Sequence, residues 1–377
     1  MTTILLLGLA ELGSRVAGAP PTGPQLVLEA GGERWPAFTR GDPVLGWRQE
    51  RGISNHDPIW LQWNRQQGLG RPEDGRVETN ERGWRDDPVP PIRPPGARWV
   101  LALGDSSVWG SGCPAGARFT EQLETQLAAG AVEVWNAAVP GYSTWQARAV
   151  LDETDDLPLD AVLIYNMVSD MGAARGLPDD LWFSSPARQR GAALLSRSRL
   201  YGWMRFWVFR ARAQQRLARD PDMQIRVHVA QYRRNLEWLV ERARDRGLAV
   251  VGVVPPLRQD LEHAPARYAP RSAAERVELA RGLAALSGMP STEAQTVDYR
   301  RAMVLTLDAL GVPWVDGPRA FIHAQEAAPS RTAPLFVDPV HPSERGHRVL
   351  ADAIAPALAD VLGLSLGWQN ASSPESP

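Results

Sequence analysis

Residues 101–112 read LALGDSSVWGSG, and this stretch decides the fold class. An apolar run that begins near Arg98 stops at Gly104, and an acid and two serines follow it directly. Such a run is typical of a strand buried on both faces, which is found in parallel sheets covered by helices. The polar residues behind it are either a simple turn or a nucleophile held at the end of a strand.

A strand–helix alternation continues downstream of this run. We predict strands at 98–103, 132–138, 160–166, 249–254 and 312–315, and helices at 119–129, 143–153, 232–246, 297–310 and 342–362. Alternation of this kind, with right-handed crossovers, places helices on both faces of one parallel sheet. The predicted fold class is α/β: a three-layer α/β/α sandwich around a five-stranded, doubly wound, flavodoxin-like parallel sheet.

The 377-residue chain is long enough for this domain and additional segments. We predict an irregular extension at 20–97, a sandwich domain at 98–364 and a disordered tail at 365–377. Residues 1–19 hold an apolar stretch too short to span a bilayer, and they are interpreted as a short amphipathic or frayed segment, or as the remnant of a signal or anchor.

A helical insertion is predicted at about 172–229. Within it, residues 194–219 form an amphipathic pattern with Leu200, Trp203 and Trp207 on one stripe and arginines around them. Three interpretations stay open for this helix: a packed helix with a solvated arginine face, a lid or membrane contact, and nucleic-acid binding.

Composition excludes several classes of function. A formal net charge of −2 gives no overall attraction to nucleic acid. The single cysteine, Cys113, rules out an internal disulfide framework and a cysteine-based zinc cluster. No histidine pair lies at ligand spacing with a carboxylate, so no metal or other cofactor is predicted.

Three side chains at predicted strand ends and in the loop before the last helix could perform nucleophilic catalysis. Ser106 follows the first strand, and a serine needs an adjacent base to become a nucleophile. His341 is a candidate base, and Asp338, three residues before it, can hold the other ring nitrogen of the imidazole. The backbone N–H groups of Ser106 and Gly141 could stabilise a developing oxyanion, because a glycine lets the backbone approach a ligand.

The sequence resembles the SGNH, or GDSL-type, esterases and lipases. The matching stretches are VLALGDSSVWGSG, VWNAAVPGYSTWQ, LIYNMVSD and VDPVHPSERGHRVLADAI, with DPVLGWR and VETNERGWRD in the extension. The resemblance implies the SGNH hydrolase fold, with Ser106 as nucleophile, Asp338 and His341 completing the triad, and Gly141 as an oxyanion donor. In the third block the family usually carries an asparagine where this chain has Ser169. The hydroxyl of Ser169 is therefore a candidate third donor, and Asn166 a weaker one.

The function expected from these residues is a metal-independent serine esterase that forms an acyl-enzyme. The resemblance implies small acyl groups on a carbohydrate or envelope glycan as substrates. Two alternatives stay open: an O-acyltransferase with the same triad, and an inactive carbohydrate-binding module that retains the fold. The resemblance also favours an extracytoplasmic location, with a cytoplasmic one as the alternative, and membrane association through the N-terminus or the 194–219 helix. The sequence does not determine the oligomeric state.

Overall fold

The structure is a computed structural model of the whole chain. It describes residues 2–17, 27–30, 33–36, 39–42, 45–67, 75–128, 131–172, 178–195, 197–204, 225–263, 268, 292–328 and 334–364. The predicted tail at 365–377 and most of the predicted helix at 194–219 lie outside these residues.

A five-stranded parallel sheet forms the centre of the molecule. Its strands are β1 (Arg98–Leu103), β2 (Val132–Asn136), β3 (Ala161–Ile164), β4 (Ala249–Val254) and β5 (Trp314–Asp316). They are arranged in the order β5-β4-β3-β1-β2, with every neighbouring pair parallel. Strand order reverses between β1 and β3, and in open α/β sheets ligands bind at the carboxyl ends of the strands beside such a switch point.

In the part of the chain that the structure describes, six helices cover the two faces of the sheet. They are α1 (Phe119–Gln126), α2 (Thr144–Asp152), α3 (Val229–Asp245), α4 (Thr292–Ala309), α5 (Gly317–Ala327) and α6 (Glu344–Leu362). Alternate residues of β1 point to opposite faces, so Leu101 packs in one core with α2, α3 and α4, while Val100 packs in the other with α1, α5 and α6. The predicted three-layer, doubly wound fold class is thus confirmed.

The predicted elements agree with the structure at most positions, and the exceptions have local causes. Strand β5 lies at 314–316 rather than 312–315, because the N–H of Val312 donates to the carbonyl of Leu307 in the preceding helix and Pro313 has no N–H to donate. Helix α5 was not predicted; it begins behind Asp316, whose carboxylate accepts the N–H of Arg319 as an N-cap. Short α-helices occupy Ser106–Trp109 and Gln259–Glu262, and a 3₁₀ helix occupies Ala115–Ala117.

The extension is more regular than predicted. Antiparallel ladders join Val27–Ala30 to Glu33–Pro36, Thr39–Asp42 to Gly46–Gln49 and Ser54–His56 to Arg76–Glu78, and a helix spans Pro58–Gln67. Strands of three or four residues are too short to show a period in the sequence, which is why the pattern appeared irregular. The extension packs on the sandwich, since Leu45 and Trp84 are buried in the same core as α2.

The structure describes the N-terminal segment from residue 2 to residue 17 and part of the insertion. Helices occupy Thr2–Val16, Asp179–Phe183 and Pro186–Leu195, and residues 199–204 are also helical. Glu11 of the first of these helices accepts the N–H groups of Arg199 and Leu200 at 3.2 and 3.1 Å. Among the described residues, every helix falls short of the length and apolar character that a crossing of the bilayer would need.

His347, on α6, introduces a dependence of stability on pH. Its ring is fully buried, and Nδ1 accepts the N–H of Phe119 at the start of α1. Burial, together with the charges of Arg118 and Arg85, lowers the pKa of His347 to about 3. In the unfolded chain a histidine binds its proton near pH 6.5, so the unfolded state binds more protons below that pH and acid destabilises the fold.

We expect this histidine to remove about 2 kcal/mol of stability between pH 7 and pH 5. The His347→Gln variant lacks this contribution, so its stability should change less over the same interval. Urea unfolding of both proteins at the two pH values measures the difference. Equal changes in the two proteins would contradict the assignment.

Candidate active site

Ser106 lies at the start of a short helix directly behind β1. Gly104 allows the tight turn between them, because a Cβ there would lie 2.2 Å from a methyl carbon of Val108. Asp105 is the N-cap of the helix and accepts the N–H of Ser107 at 3.1 Å. These contacts hold Ser106 half-exposed at the carboxyl edge of the sheet, beside the switch point.

Asp338 and His341 lie on a compact loop before α6. One oxygen of Asp338, Oδ1, accepts the backbone N–H groups of Val340 and His341 at 2.9 and 2.8 Å. The loop closes through a hydrogen bond from Val337 N–H to the carbonyl of His341. The hydroxyl of Ser107 donates to the carbonyl of Val340 at 3.1 Å and so ties the loop to the helix that carries Ser106.

The structure brings the three predicted side chains together. Ser106 Oγ lies 2.8 Å from His341 Nε2, and His341 Nδ1 lies 2.6 Å from Asp338 Oδ2. Burial alone would raise the pKa of Asp338, but the hydrogen bonds that it accepts from His341 and from the N–H of Val340 help to hold the pKa below its ordinary value. An ionised Asp338 keeps the proton of the neutral imidazole on Nδ1, which leaves Nε2 free to accept the proton of Ser106.

Gly141 occupies the third position of a tight turn behind β2. The N–H of Tyr142 donates to the carbonyl of Val139 at 3.0 Å, and Gly141 has a φ of +81°. Proline at the second position and a glycine with positive φ at the third define a type II turn. Within the described part of the chain, neither the N–H of Gly141 nor that of Ser106 donates to another backbone group.

Ser169 does not present its hydroxyl as the predicted third donor. Its Oγ donates to Asp105 Oδ2 at 2.9 Å, and its backbone N–H donates to the same oxygen at 3.1 Å. A hydroxyl has one proton, and here that proton is already bound to a buried carboxylate. Ser169 therefore joins the end of β3 to the end of β1 across the switch point, and our expectation for its hydroxyl is corrected.

Asn166 also points away from the role considered for it. Its side chain is fully buried, and Nδ2 donates to the carbonyl of Tyr142 at 3.4 Å. The candidate oxyanion donors that remain are thus two backbone N–H groups, those of Ser106 and Gly141.

We expect the Ser169→Ala variant to lose less than about threefold in kcat, because its backbone N–H still holds Asp105. Were the hydroxyl an oxyanion donor, its removal would lower kcat by about 10²–10³. Steady-state hydrolysis of p-nitrophenyl acetate, at matched active-site concentration, distinguishes the two outcomes.

Two contacts to the Gly141 turn were missed by sequence reasoning. Trp47, from the extension, donates from Nε1 to the carbonyl of Pro140 at 3.1 Å, and Arg226, from the end of the insertion, donates to the carbonyl of Gly141 at 2.5 Å. Trp47 belongs to the stretch DPVLGWR, whose resemblance to the family implies no role for the tryptophan. Nothing in the sequence indicates the contact of Arg226 with this turn, because one arginine among 41 basic residues is not distinctive.

Among the residues that the structure describes, histidine, cysteine and carboxylate side chains form no group of three or more that could hold a metal ion. Asp170, a buried acid in the loop after β3, accepts the N–H of Thr144 at 2.9 Å. Burial raises the pKa of Asp170 to about 8. This carboxyl group therefore joins the end of β3 to the start of α2 rather than facing a ligand.

Comparisons with known proteins give matches among solved structures alone. No family model matches the chain, and no curated protein does. A lipolytic protein of the G-D-S-L family from Veillonella parvula is 12% identical, with a TM-score of 0.41, over 69% of this chain and 97% of its own. An acetylxylan esterase from Geobacillus stearothermophilus is 16% identical, with a TM-score of 0.41, over 71% and 95%.

The fold itself rests on the topology of this chain. Five parallel strands in the order β2-β1-β3-β4-β5 are flanked by helices on both faces. At the carboxyl edge of that sheet, His341 lies within hydrogen-bond distance of both Ser106 and Asp338. The chain therefore has a doubly wound, three-layer α/β/α fold with these side chains at its carboxyl edge, as the sequence resemblance to the SGNH hydrolases predicts.

Proposed function

We propose that this protein is a serine esterase that hydrolyses carboxylic esters through an acyl-enzyme. The observation that carries the proposal is the chain of two hydrogen bonds, 2.8 Å from Ser106 Oγ to His341 Nε2 and 2.6 Å from His341 Nδ1 to Asp338 Oδ2. A nucleophile, a base and a group that orients the base are the three parts that such a reaction requires.

In the proposed reaction, Ser106 Oγ forms a bond to the ester carbonyl carbon while its proton passes to His341 Nε2. The N–H groups of Ser106 and Gly141 stabilise the negative oxygen of the tetrahedral intermediate. The bond to the alcohol oxygen then breaks, and His341 returns the proton to the departing alcohol. A water molecule then attacks the acyl carbon while His341 Nε2 takes its proton. The bond from that carbon to Ser106 Oγ breaks, His341 returns the proton to Ser106, and the acid is released.

Labelling with a fluorophosphonate probe tests whether the serine is activated. We expect the wild-type protein to be labelled at Ser106, and the His341→Ala variant, although it retains Ser106, to react far more slowly. Absence of labelling in a folded wild-type protein would contradict the esterase proposal. It would instead favour the binding-module alternative. The hydrogen bond between Ser169 and Asp105 also favours that alternative, because it leaves the site with two backbone donors and no donor from a side chain.

For the substrate, we propose small acyl groups on a carbohydrate, on the basis of the sequence resemblance. Release of acetate from acetylated xylan and from p-nitrophenyl acetate, with longer p-nitrophenyl esters beside them, tests the acyl length and the alcohol. Product analysis with an added acceptor sugar separates hydrolysis from acyl transfer, since the same triad serves both reactions.

We also propose that the N-terminal helix and the insertion form one membrane-contacting surface. Eleven of the twelve exposed large apolar side chains in the described residues lie at 5–16 and 181–204, the exception being Ile92. Glu11 joins the two segments, and Arg15 and Arg199 lie beside them. Leucines next to arginines suit an anionic bilayer surface.

Co-sedimentation with vesicles tests this surface. We expect binding to vesicles that contain phosphatidylglycerol, and at least about tenfold weaker binding when Leu5, Leu6 and Leu9 are replaced by serine, since each buried leucine contributes about 1.5–3 kcal/mol. Equal binding of the two proteins would contradict the proposal.

A further inference from the structure

The orientation of one peptide group decides whether Gly141 can act as a donor. In the turn at 139–142, the Pro140–Gly141 peptide is the central one. Type I and type II turns differ by a rotation of about 180° of this peptide, which reverses the direction of its N–H. A loop with this sequence can therefore present the Gly141 N–H to the site or turn it away.

Trp47 contacts this same peptide. Its Nε1–H donates to the carbonyl oxygen of Pro140 at 3.1 Å. Because a trans peptide is planar, its C=O and N–H point in opposite directions, so fixing the oxygen on Trp47 fixes the Gly141 N–H on the far side. The carbon Cζ2 of Trp47 also lies 3.1 Å from the place a Cβ of residue 141 would take, so the indole packs directly on the turn.

Further contacts hold Trp47 itself in place. The hydroxyl of Tyr142 donates to the carbonyl of Trp47 at 2.8 Å, which makes the contact between extension and turn reciprocal. The guanidinium of Arg226 lies 5.5 Å from the Trp47 ring and donates to the carbonyl of Gly141, the next peptide along. Asp179 accepts from Arg226 at 2.7 Å and restricts that side chain in turn.

We propose that Trp47 is a positioning residue of the oxyanion hole: its indole N–H holds the Pro140–Gly141 peptide so that the Gly141 N–H points to the reacting carbonyl. The inference rests on the proposed esterase function. A hydrogen bond to the carbonyl of a peptide also polarises its N–H and makes it a better donor. This matters more here than in a site with three donors, because the Ser169 hydroxyl is bound to Asp105.

The test removes the indole N–H and keeps the ring. Two changes at position 47 do so: Trp47→Phe, and substitution by β-(3-benzothienyl)alanine, an isostere with sulfur in place of N–H. Trp314→Phe is the matched control, because Trp314 Nε1 also donates a hydrogen bond, to Asp308 at 2.8 Å. Trp314 lies on β5, at the edge of the sheet opposite to β2 and the Gly141 turn. The readouts are kcat and KM for p-nitrophenyl acetate and the pH profile of kcat/KM.

We expect both changes at position 47 to lower kcat about tenfold, less than the 10²–10³ lost with a whole donor. KM should change by less than about twofold, because the oxyanion develops only as the bound ester is attacked. The pH profile should keep its shape, because the triad is untouched. The control should retain wild-type kinetics.

Wild-type kcat in the benzothienyl protein, or a rise in KM at constant kcat, would overturn the proposal. If Trp47→Phe fails to fold, the isostere alone decides, because it preserves the ring. A folded wild-type protein that neither hydrolyses esters nor reacts with fluorophosphonate would overturn the esterase function instead, and that result is visible before any variant is made.

Discussion

The Ser106→Ala variant is expected to lose at least about 10⁴-fold in kcat for ester hydrolysis and all labelling by a fluorophosphonate probe. Removal of the nucleophile prevents formation of the acyl-enzyme, and the remaining activity reflects only binding and the oxyanion donors. Loss of His341 should be similarly severe, and the losses of Ser106 and His341 should not add, because the two residues act as one unit.

The adjacent serine provides a matched control for this variant. Ser107 is chemically identical to Ser106, but its hydroxyl donates to the carbonyl of Val340 rather than to His341. The Ser107→Ala variant should therefore still be labelled. Labelling that survives in Ser106→Ala but disappears in Ser107→Ala would show that the nucleophile was assigned to the wrong residue.

The Asp260→Ala variant is expected to lose about 3–5 kcal/mol of unfolding free energy. Asp260 forms a bidentate pair with Arg300 at 2.8 and 2.6 Å, and both side chains are 1% exposed. Removing the carboxylate leaves the guanidinium buried without its counter-charge. The variant also loses the hydrogen bond that Asp260 accepts from the N–H of Leu257 at 2.7 Å.

This ion pair supports the candidate site as well as the core. Arg300 donates to the carbonyl of Pro255 behind β4, and the N–H of Arg258 donates to the carbonyl of Pro339 in the loop of Asp338 and His341. A destabilised Asp260→Ala protein should therefore lose activity at temperatures where it is still largely folded.

Guanidinium chloride unfolding measures this loss. The control is Asp155→Ala, which removes an exposed carboxylate that pairs with Arg242 at 2.5 Å and with Arg246 at 3.5 Å, and it should cost less than about 1 kcal/mol. A similar small cost at Asp260 would contradict our account of the buried pair.

The appended segments have a role in the site as well as in packing. The extension contributes Trp47 and the insertion contributes Arg226, and both contact the turn that contains Gly141. The turn that contains Gly141 is thus held by the extension and by the insertion. A protein truncated to the sandwich domain would lack the contact from Trp47.

The sequence by itself determined the parts of the fold and site that are local. Strand β1 and the start of its helix follow from an apolar run that ends in Gly104 and the N-cap Asp105. The pairing of Asp338 with His341 follows from a separation of three residues, which is short enough for a carboxylate to reach the imidazole of the same loop. Because parallel strands end at one edge of a sheet, the fold class also indicated that Ser106 would lie near this loop.

Only the tertiary structure decided which polar groups are already bound. Ser169 meets Asp105 across 64 residues, and Trp47 meets Pro140 across 93. Periodicity and short motifs record which residues lie on one face or in one turn, whereas a hydrogen bond between distant loops depends on how those loops meet after folding. For that reason the sequence indicates the candidate donors. Only the folded structure shows that the hydroxyl of Ser169 and the amide of Asn166 already have other hydrogen-bond partners.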